Sequence, residues 1–176
     1  NGYETPFATV MTCGTGDFDN GNSQSEAFVK LGTVNNPEGA VAAVGLSTTG
    51  THTAYNNIVD MGIYDGIFAK KLWYAGAAEA NGDLAILATY PSNPSGATEA
   101  FIAWSNLIGD PALHLWTGVP VNFAVDHIDV IPLGTTTTDI IVYNQDGNTV
   151  AGSRVTLLMG DDVIFSTGFT DENGQI

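Results

Sequence analysis

An α/β domain built on a parallel sheet, followed by an incomplete antiparallel β-sandwich, is the fold this sequence predicts. Three observations predict it. Phe7 to Met11 and Gly39 to Ser47 are short apolar runs without polar alternation, the pattern of strands covered on both faces. Ser23 to Leu31, Asn56 to Ala80 and Thr98 to Asn106 place apolar residues at three- and four-residue steps, as helices do. From Val121 onward the chain becomes β-branched and alternating, with turn signals about every 10 to 14 residues, which argues an immunoglobulin-type sandwich. The expected domains are therefore 1–119 and 120–176, with the second short of its full set of strands.

The first run leads into Thr12, the single cysteine Cys13, and then Gly14-Thr15-Gly16. A strand followed at once by glycines puts Cys13 at the carboxyl edge of the sheet, where ligands of open α/β sheets bind. Two readings stay open on these residues alone. Cys13 is either a small buried hydrophobe or a thiol that substrate can approach.

The loop beyond it holds Asp17, Asp19, Asn20 and Asn22. Oxygen ligands this dense are compatible with calcium, but the spacing is not that of an EF-hand, and an Asx-rich loop satisfying its own backbone is the alternative. Ser23-Gln24-Ser25-Glu26 has the form of a capping box, so a helix is expected from Gln24 to Leu31 with Ala27, Phe28 and Leu31 on its packing face. The positive end of that helix would favour a thiolate at Cys13. The second strand ends in Thr48-Thr49-Gly50-Thr51-His52-Thr53, again at the carboxyl edge.

A long helix is expected from Asn56 to Ala80, closed by Asn81-Gly82, with Gly62, Gly66 and Gly76 marking close packing on the sheet. Asp83 to Thr89 fits either more helix or a short strand. Pro91, Pro94 and Gly96 break the chain before Thr98 caps a helix running to Asn106. Asp110 before Pro111 fixes a turn, and His114 alternates outward from the run LHLW. In the sandwich region Gln145-Asp146-Gly147-Asn148 and Met159-Gly160-Asp161-Asp162 read as hairpin turns.

Composition excludes some function classes. The formal net charge is −15, and the cations number four, Lys30, Lys70, Lys71 and Arg154. Phosphate contacts need Lys and Arg, so nucleic acid and anionic membrane are not expected partners. No apolar stretch reaches the ~18 residues that a membrane-spanning helix needs. Such acidity suits a secreted or cell-surface protein. One cysteine makes no internal disulfide and leaves the redox compartment unread. The start, NGYETP, lacks Met and enters a strand almost at once, and DENGQI stops in mid-hairpin, so a piece of a longer protein is expected.

The runs VMTCGTGDF, GAVAAVGLST and WSNLIGDPALHLWTGVP resemble the second half of a gingipain-type cysteine peptidase catalytic domain, over Phe7 to Pro120. The strongest motifs are the Cys-x-x-Gly-Asp-Phe block at Cys13 to Phe18 and Gly109-Asp110-Pro111. The resemblance implies a caspase-like αβα sandwich, seen in part, with an immunoglobulin-like module packed after it. It implies that Cys13 is the nucleophile and that its backbone N–H is one oxyanion donor. It also implies a peptide or protein substrate and no cofactor. His52, Tyr55 and Asn56 would line the primary specificity pocket. A relative specific for basic residues carries an aromatic about where His52 stands, so an Arg or Lys preference is not carried over.

The family's catalytic His precedes the Cys beside a glycine, and none of His52, His114 and His127 matches that motif. The base is therefore expected upstream of Asn1, and the 176 residues alone are expected to be inactive. Two other readings compete. One is a non-catalytic adhesion or binding module with a caspase-like fold, and the other an α/β domain in which Cys13 is simply core.

Overall fold

The apolar run at the start forms β1 (Phe7–Val10), and the capping box at Ser23 opens α1 (Gln24–Lys30). A minimal hairpin of β2 (Gly32–Thr33) and β3 (Asn36–Pro37) leads into β4 (Ala42–Leu46). These come from a computed structural model that describes residues 5–19, 21–159 and 163–176. Contacts divide the chain into two compact units, Asn1–Gly118 and Val119–Ile176.

In the first unit β1 and β4 run parallel, in register from Phe7 opposite Ala42 to Val10 opposite Gly45. Every residue of β4 is buried, as an unalternated Ala-Ala-Val-Gly-Leu run requires of a central strand. Strand alternation gives β4 two different faces. A Cβ placed on Gly45 would meet Ser25 of α1, whereas Val44 and Leu46 join the helical core on the other side. That core is built with α2 (Thr53–Phe68), α3 (Ala75–Thr89) and α4 (Ala97–Trp104), through Val59, Ile63, Ile86 and Phe101. The sheet is completed by β5 (Ser105–Ile108), antiparallel to β4 from Ala43–Ile108 to Leu46–Ser105.

Several local expectations are corrected. The helix expected from Asn56 to Ala80 is two helices. Where α3 begins, Trp73 to Gly76 pairs with Pro111 to Leu115, through Leu115 N to Trp73 O (2.6 Å), Ala75 N to Leu113 O and Gly76 N to Pro111 O (both 2.9 Å). A backbone committed to those bonds cannot continue the helical ladder, and Lys71 turns it at φ +61°. Asn81-Gly82 lies inside α3 instead of ending a helix.

Gly62 and Gly66 serve helix-on-helix contact, not helix-on-sheet contact, and Gly76 serves the approach of Pro111, whose Cβ would lie 2.7 Å from one added there. A Cβ on Gly62 would lie 2.7 Å from that of Ala85, and one on Gly82 would lie 2.8 Å from Val59 O. Asn81 fills the remaining polar need by donating to Gly62 O (2.5 Å) and accepting from Lys70 Nζ (3.0 Å).

Asp83 to Thr89 continues α3. Thr98 lies within α4, and the first N–H groups are taken by Asn93 Oδ1, from Thr98 at 2.9 Å and Glu99 at 3.3 Å. Ser105 and Asn106 leave the helix for β5, where the open edge of β4 takes their backbone. In α1 the capping box forms as expected, but Ala27, Phe28 and Leu31 are exposed. Ser25 is the buried residue, its side chain occupying the space that the missing side chain of Gly45 leaves.

In the second unit β6 (Ala124–Asp126) pairs antiparallel with β7 (Ile141–Tyr143). A second ribbon joins β8 (Arg154–Met159) to β9 (Val163–Phe169), with a bulge between Leu157 and Leu158. Asn144 Oδ1 accepts from Asp146 N and Asn148 N at 3.0 Å each, fixing the expected turn at Gln145–Asn148. The other expected turn falls on Gly160, Asp161 and Asp162, outside the described residues.

Candidate active site

Because β1 and β4 are parallel, their carboxyl ends lie on the same side of the sheet, and the loops leaving both meet there. Cys13 stands three residues beyond Val10, in a turn with Gly14 at φ +69°. Two backbone bonds pin that turn to the chain leaving β4: Gly14 N to Thr48 O (2.7 Å) and Gly16 N to Leu46 O (3.0 Å). The buried Thr15 side chain adds a third tie. Its hydroxyl bonds Val10 O and Thr12 O, the latter at 2.8 Å, and accepts from Leu46 N at 3.3 Å.

The Cys13 thiol is exposed, so it is not a core residue. Along this turn Thr12, Gly14, Thr15, Gly16 and Asp17 each donate their backbone N–H to a carbonyl. Among the described residues, no carbonyl takes the N–H of Cys13 itself. The turn therefore presents, at the rim of the sheet, a sulfur and the N–H of the same residue, which no carbonyl takes among the described residues.

Among the described residues the sulfur has one side-chain partner, Thr51 Oγ1, at 3.0 Å. Thr51 lies two residues before the start of α2, whose positive dipole end points back along the chain toward it. Thr51's hydroxyl first, then its backbone, holds the Cys13 thiol below its ordinary value of 9.0, against a smaller upward push from desolvation. Sequence reasoning did not single out Thr51. Its only signal was membership of a threonine-rich loop at the same sheet edge, where nothing set it apart from Thr48, Thr49 and Thr53.

The three residues expected to line a specificity pocket occupy different places. His52 is exposed and caps α2, its Nδ1 accepting from Ala54 N at 3.1 Å. Tyr55 is half-buried, stacked between Tyr90 (centroids 4.8 Å) and Phe101 (4.7 Å), with His52 edge-on at 6.1 Å. Asn56 is buried, and its Nδ2 donates to Met11 O (3.1 Å) and Thr51 Oγ1 (3.2 Å). The structure thus brings Asn56 to Cys13 through Thr51, and builds Tyr55 into an aromatic stack.

Of the remaining histidines, His114 meets Tyr74 edge-on at 5.4 Å and His127 contacts Ile128 O at 3.0 Å. In the acidic loop Asp17 Oδ1 accepts from Asp19 N at 3.3 Å, and Asn22 Oδ1 accepts from Lys30 Nζ at 3.0 Å. Asn20 lies outside the described residues. Hollows formed by the described residues lie away from Cys13. One of about 700 Å³ borders Tyr74, Glu79 and Pro111, and one of about 490 Å³ in the second unit has Val125, Ile128, Ile140, Val142 and Leu157 in its lining. Neither is lined by the thiol.

Residues 1–116 match the family model of peptidase family C25. The chain belongs to peptidase family C25. No curated protein matches this family C25 chain in sequence. Its fold is similar to that of the Arg-specific cysteine proteinase gingipain R, at 20% identity and TM-score 0.78, over 97% of this chain and 38% of that one. It is similar also to the complex of Porphyromonas gingivalis RgpB pro- and mature domains, at 21% identity and TM-score 0.75, over 97% and 38%. A third structure, described as a protease, matches at 17% identity and TM-score 0.68, over 96% and 39%. The family C25 chain thus spans less than two-fifths of the length of the solved structures it resembles.

Proposed function

We propose that this chain carries the nucleophile side of a secreted cysteine endopeptidase, whose catalytic unit is a caspase-like sandwich followed by an immunoglobulin-like module. Family membership supports a cysteine peptidase, and the observation that carries the assignment to Cys13 is its exposed sulfur at the sheet rim, beside a backbone N–H that no carbonyl takes among the described residues. In the proposed reaction the Cys13 thiolate attacks the scissile carbonyl. An S–C bond forms as the C–O double bond opens, and the resulting oxyanion takes a hydrogen bond from the Cys13 N–H. The C–N bond then breaks as an imidazolium gives its proton to the leaving amine. Water attacks the thioester, the imidazole takes its proton, and the thiolate is released with the acid product.

The imidazole is proposed to come from chain outside these 176 residues. His52 Nδ1 is engaged as the α2 cap, and neither His114 nor His127 has a hydrogen bond to the sulfur among the described residues. No cofactor enters this reaction. His52 remains the candidate wall of a specificity pocket, as the exposed member of the expected trio.

Hydrolysis of a peptide library by the full-length protein tests the assignment. Cys13→Ala is expected to lower kcat/KM by about a thousandfold or more. Undiminished hydrolysis in that variant would remove Cys13 from the mechanism. The 176 residues alone are expected to show no turnover, and Cys13-dependent turnover by them would place the base inside this chain.

A further inference from the structure

We infer that Thr51 and Asn56 are positioning residues that hold a hydroxyl proton on the Cys13 sulfur, through the directed chain Asn56 Nδ2–H to Thr51 Oγ1, then Thr51 Oγ1–H to Cys13 Sγ. The inference rests on reading Cys13 as the nucleophile. Its direction follows from the partners. Met11 O is an acceptor only, and it lies 3.1 Å from the amide nitrogen of Asn56, so the NH₂ end of that buried amide must face it. The same nitrogen has a second hydrogen, aimed at Thr51 Oγ1 at 3.2 Å, which therefore accepts.

A threonine hydroxyl has one proton. With a lone pair engaged by Asn56, that proton is free for the sulfur at 3.0 Å, and no other acceptor for it exists among the described residues. A donor fixed in this way favours the thiolate over the thiol. It does so without adding charge, and it is set before any base arrives. Asn56 also ties the arrangement to the scaffold, since Met11 directly follows β1 and Asn56 lies in the first turn of α2. The lowered thiol affinity for its proton described above agrees with this direction. The titratable groups on the flanking segments are Asp17 and Asp19 beyond Cys13, and His52 and Tyr55 beyond Thr51. None of them has a hydrogen bond to the sulfur among the described residues.

The test reads the thiol directly, so it does not depend on hydrolysis. Cys13 is the only cysteine, and iodoacetamide alkylation from pH 5 to pH 10.5 therefore reports one site, with Cys13→Ala as the blank. Thr51→Val keeps the shape and removes the proton. Its alkylation at pH 7 is expected to fall about threefold to tenfold, converging with the unmodified protein above pH 10, where both are thiolate. Thr51→Ser should restore the original profile. Asn56→Ala should shift the profile the same way by freeing the hydroxyl to turn.

A Thr51→Val profile that superimposes on the original overturns the inference. An unshifted Asn56→Ala profile equally overturns the directed chain. Circular dichroism at 25 °C checks that each variant is folded, and Thr51→Ser against Thr51→Val remains informative if Asn56→Ala is not. If the thiol profiles shift as expected while Cys13→Ala leaves hydrolysis intact, the peptidase reading fails and the hydrogen-bond chain stands.

Discussion

The backbone of Gly16 rests directly on that of Gly45. A Cβ on Gly16 would lie 2.5 Å from the Gly45 carbonyl carbon, and one on Gly45 would lie 2.7 Å from the Gly16 nitrogen. A turn and a strand approach this closely only when neither has a side chain there. The contact seats the Cys13 turn on the central strand.

Alanine at either position is therefore expected to be destabilising by about 2–3 kcal/mol, because backbone cannot yield as a flexible side chain would. Gly50→Ala is the control, since its nearest neighbour would be Thr48 Oγ1 at 3.9 Å. Urea unfolding of the three variants measures this. Equal stability of Gly16→Ala and Gly50→Ala would show that the seat is not tight.

Helix packing gives a rank order. Alanine at an open glycine inside a helix is worth about 1 kcal/mol of propensity. At Gly62 that gain meets Ala85 Cβ at 2.7 Å and Gly82 Cα at 2.8 Å, whereas at Gly66 the nearest atom is Asn81 Cβ at 3.1 Å. Gly62→Ala should be less stable than the parent by about 1–3 kcal/mol and less stable than Gly66→Ala. Thermal unfolding reads the order, and the reverse order would mean that the two helices slide apart freely.

The sheet's parallel core was legible because Phe7 to Met11 and Gly39 to Ser47 have compositions that only burial on both faces explains. Cys13 was legible as a sheet-edge residue for the same reason, since glycines follow it at once. The α2–α3 break was not legible. Its cause is a backbone pairing of Trp73 to Gly76 with Pro111 to Leu115, nearly 40 residues away, which periodicity does not register. β5 was missed because Ser105 and Asn106 are poor strand formers, and only the open edge of β4 makes them extended. Thr51 was missed because its role is set by a distance to Cys13 across 38 residues of sequence.

Stability should depend on pH through α3. Burial, then the neighbouring charge of Glu79, pushes the Asp83 carboxyl up to about 8, from 3.8. Burial raises Glu79 as well. Between those values the folded chain holds a proton that the unfolded chain has released, so stability falls as pH rises from about 4 to about 8 and levels off above. Asp83→Asn stays neutral throughout. It should match the parent at about pH 4 and exceed it in melting temperature by a margin that widens from pH 5 to pH 8. Glu26 acts in the opposite sense: Lys30 holds it near 2, and its stabilisation is present above 4.5 and lost as pH falls toward 2. Melting curves at pH 5, 6.5 and 8 isolate the Asp83 effect. A difference between parent and variant that is constant across the three would sink it.

Thr15 offers the sharpest separation of side-chain shape from hydrogen bonding. The β1–β4 ladder ends with Val10 opposite Gly45, so the next donor on β4, Leu46 N–H, has no strand residue to meet. Thr15 Oγ1 takes that place at 3.3 Å, while its own proton goes to the Val10 and Thr12 carbonyls. One buried hydroxyl thus replaces a missing strand position and closes the turn that carries Cys13. Thr15→Val keeps the volume but strands a buried N–H, and a loss of about 1–3 kcal/mol is expected. Thr15→Ser keeps the hydroxyl and should lose less than that. Amide exchange at Leu46 should quicken in the valine variant and stay slow in the serine variant. Faster alkylation of Cys13 at high pH in the valine variant would show that the turn has opened. If Leu46 stays protected in both, the strand end is held by something other than this hydroxyl.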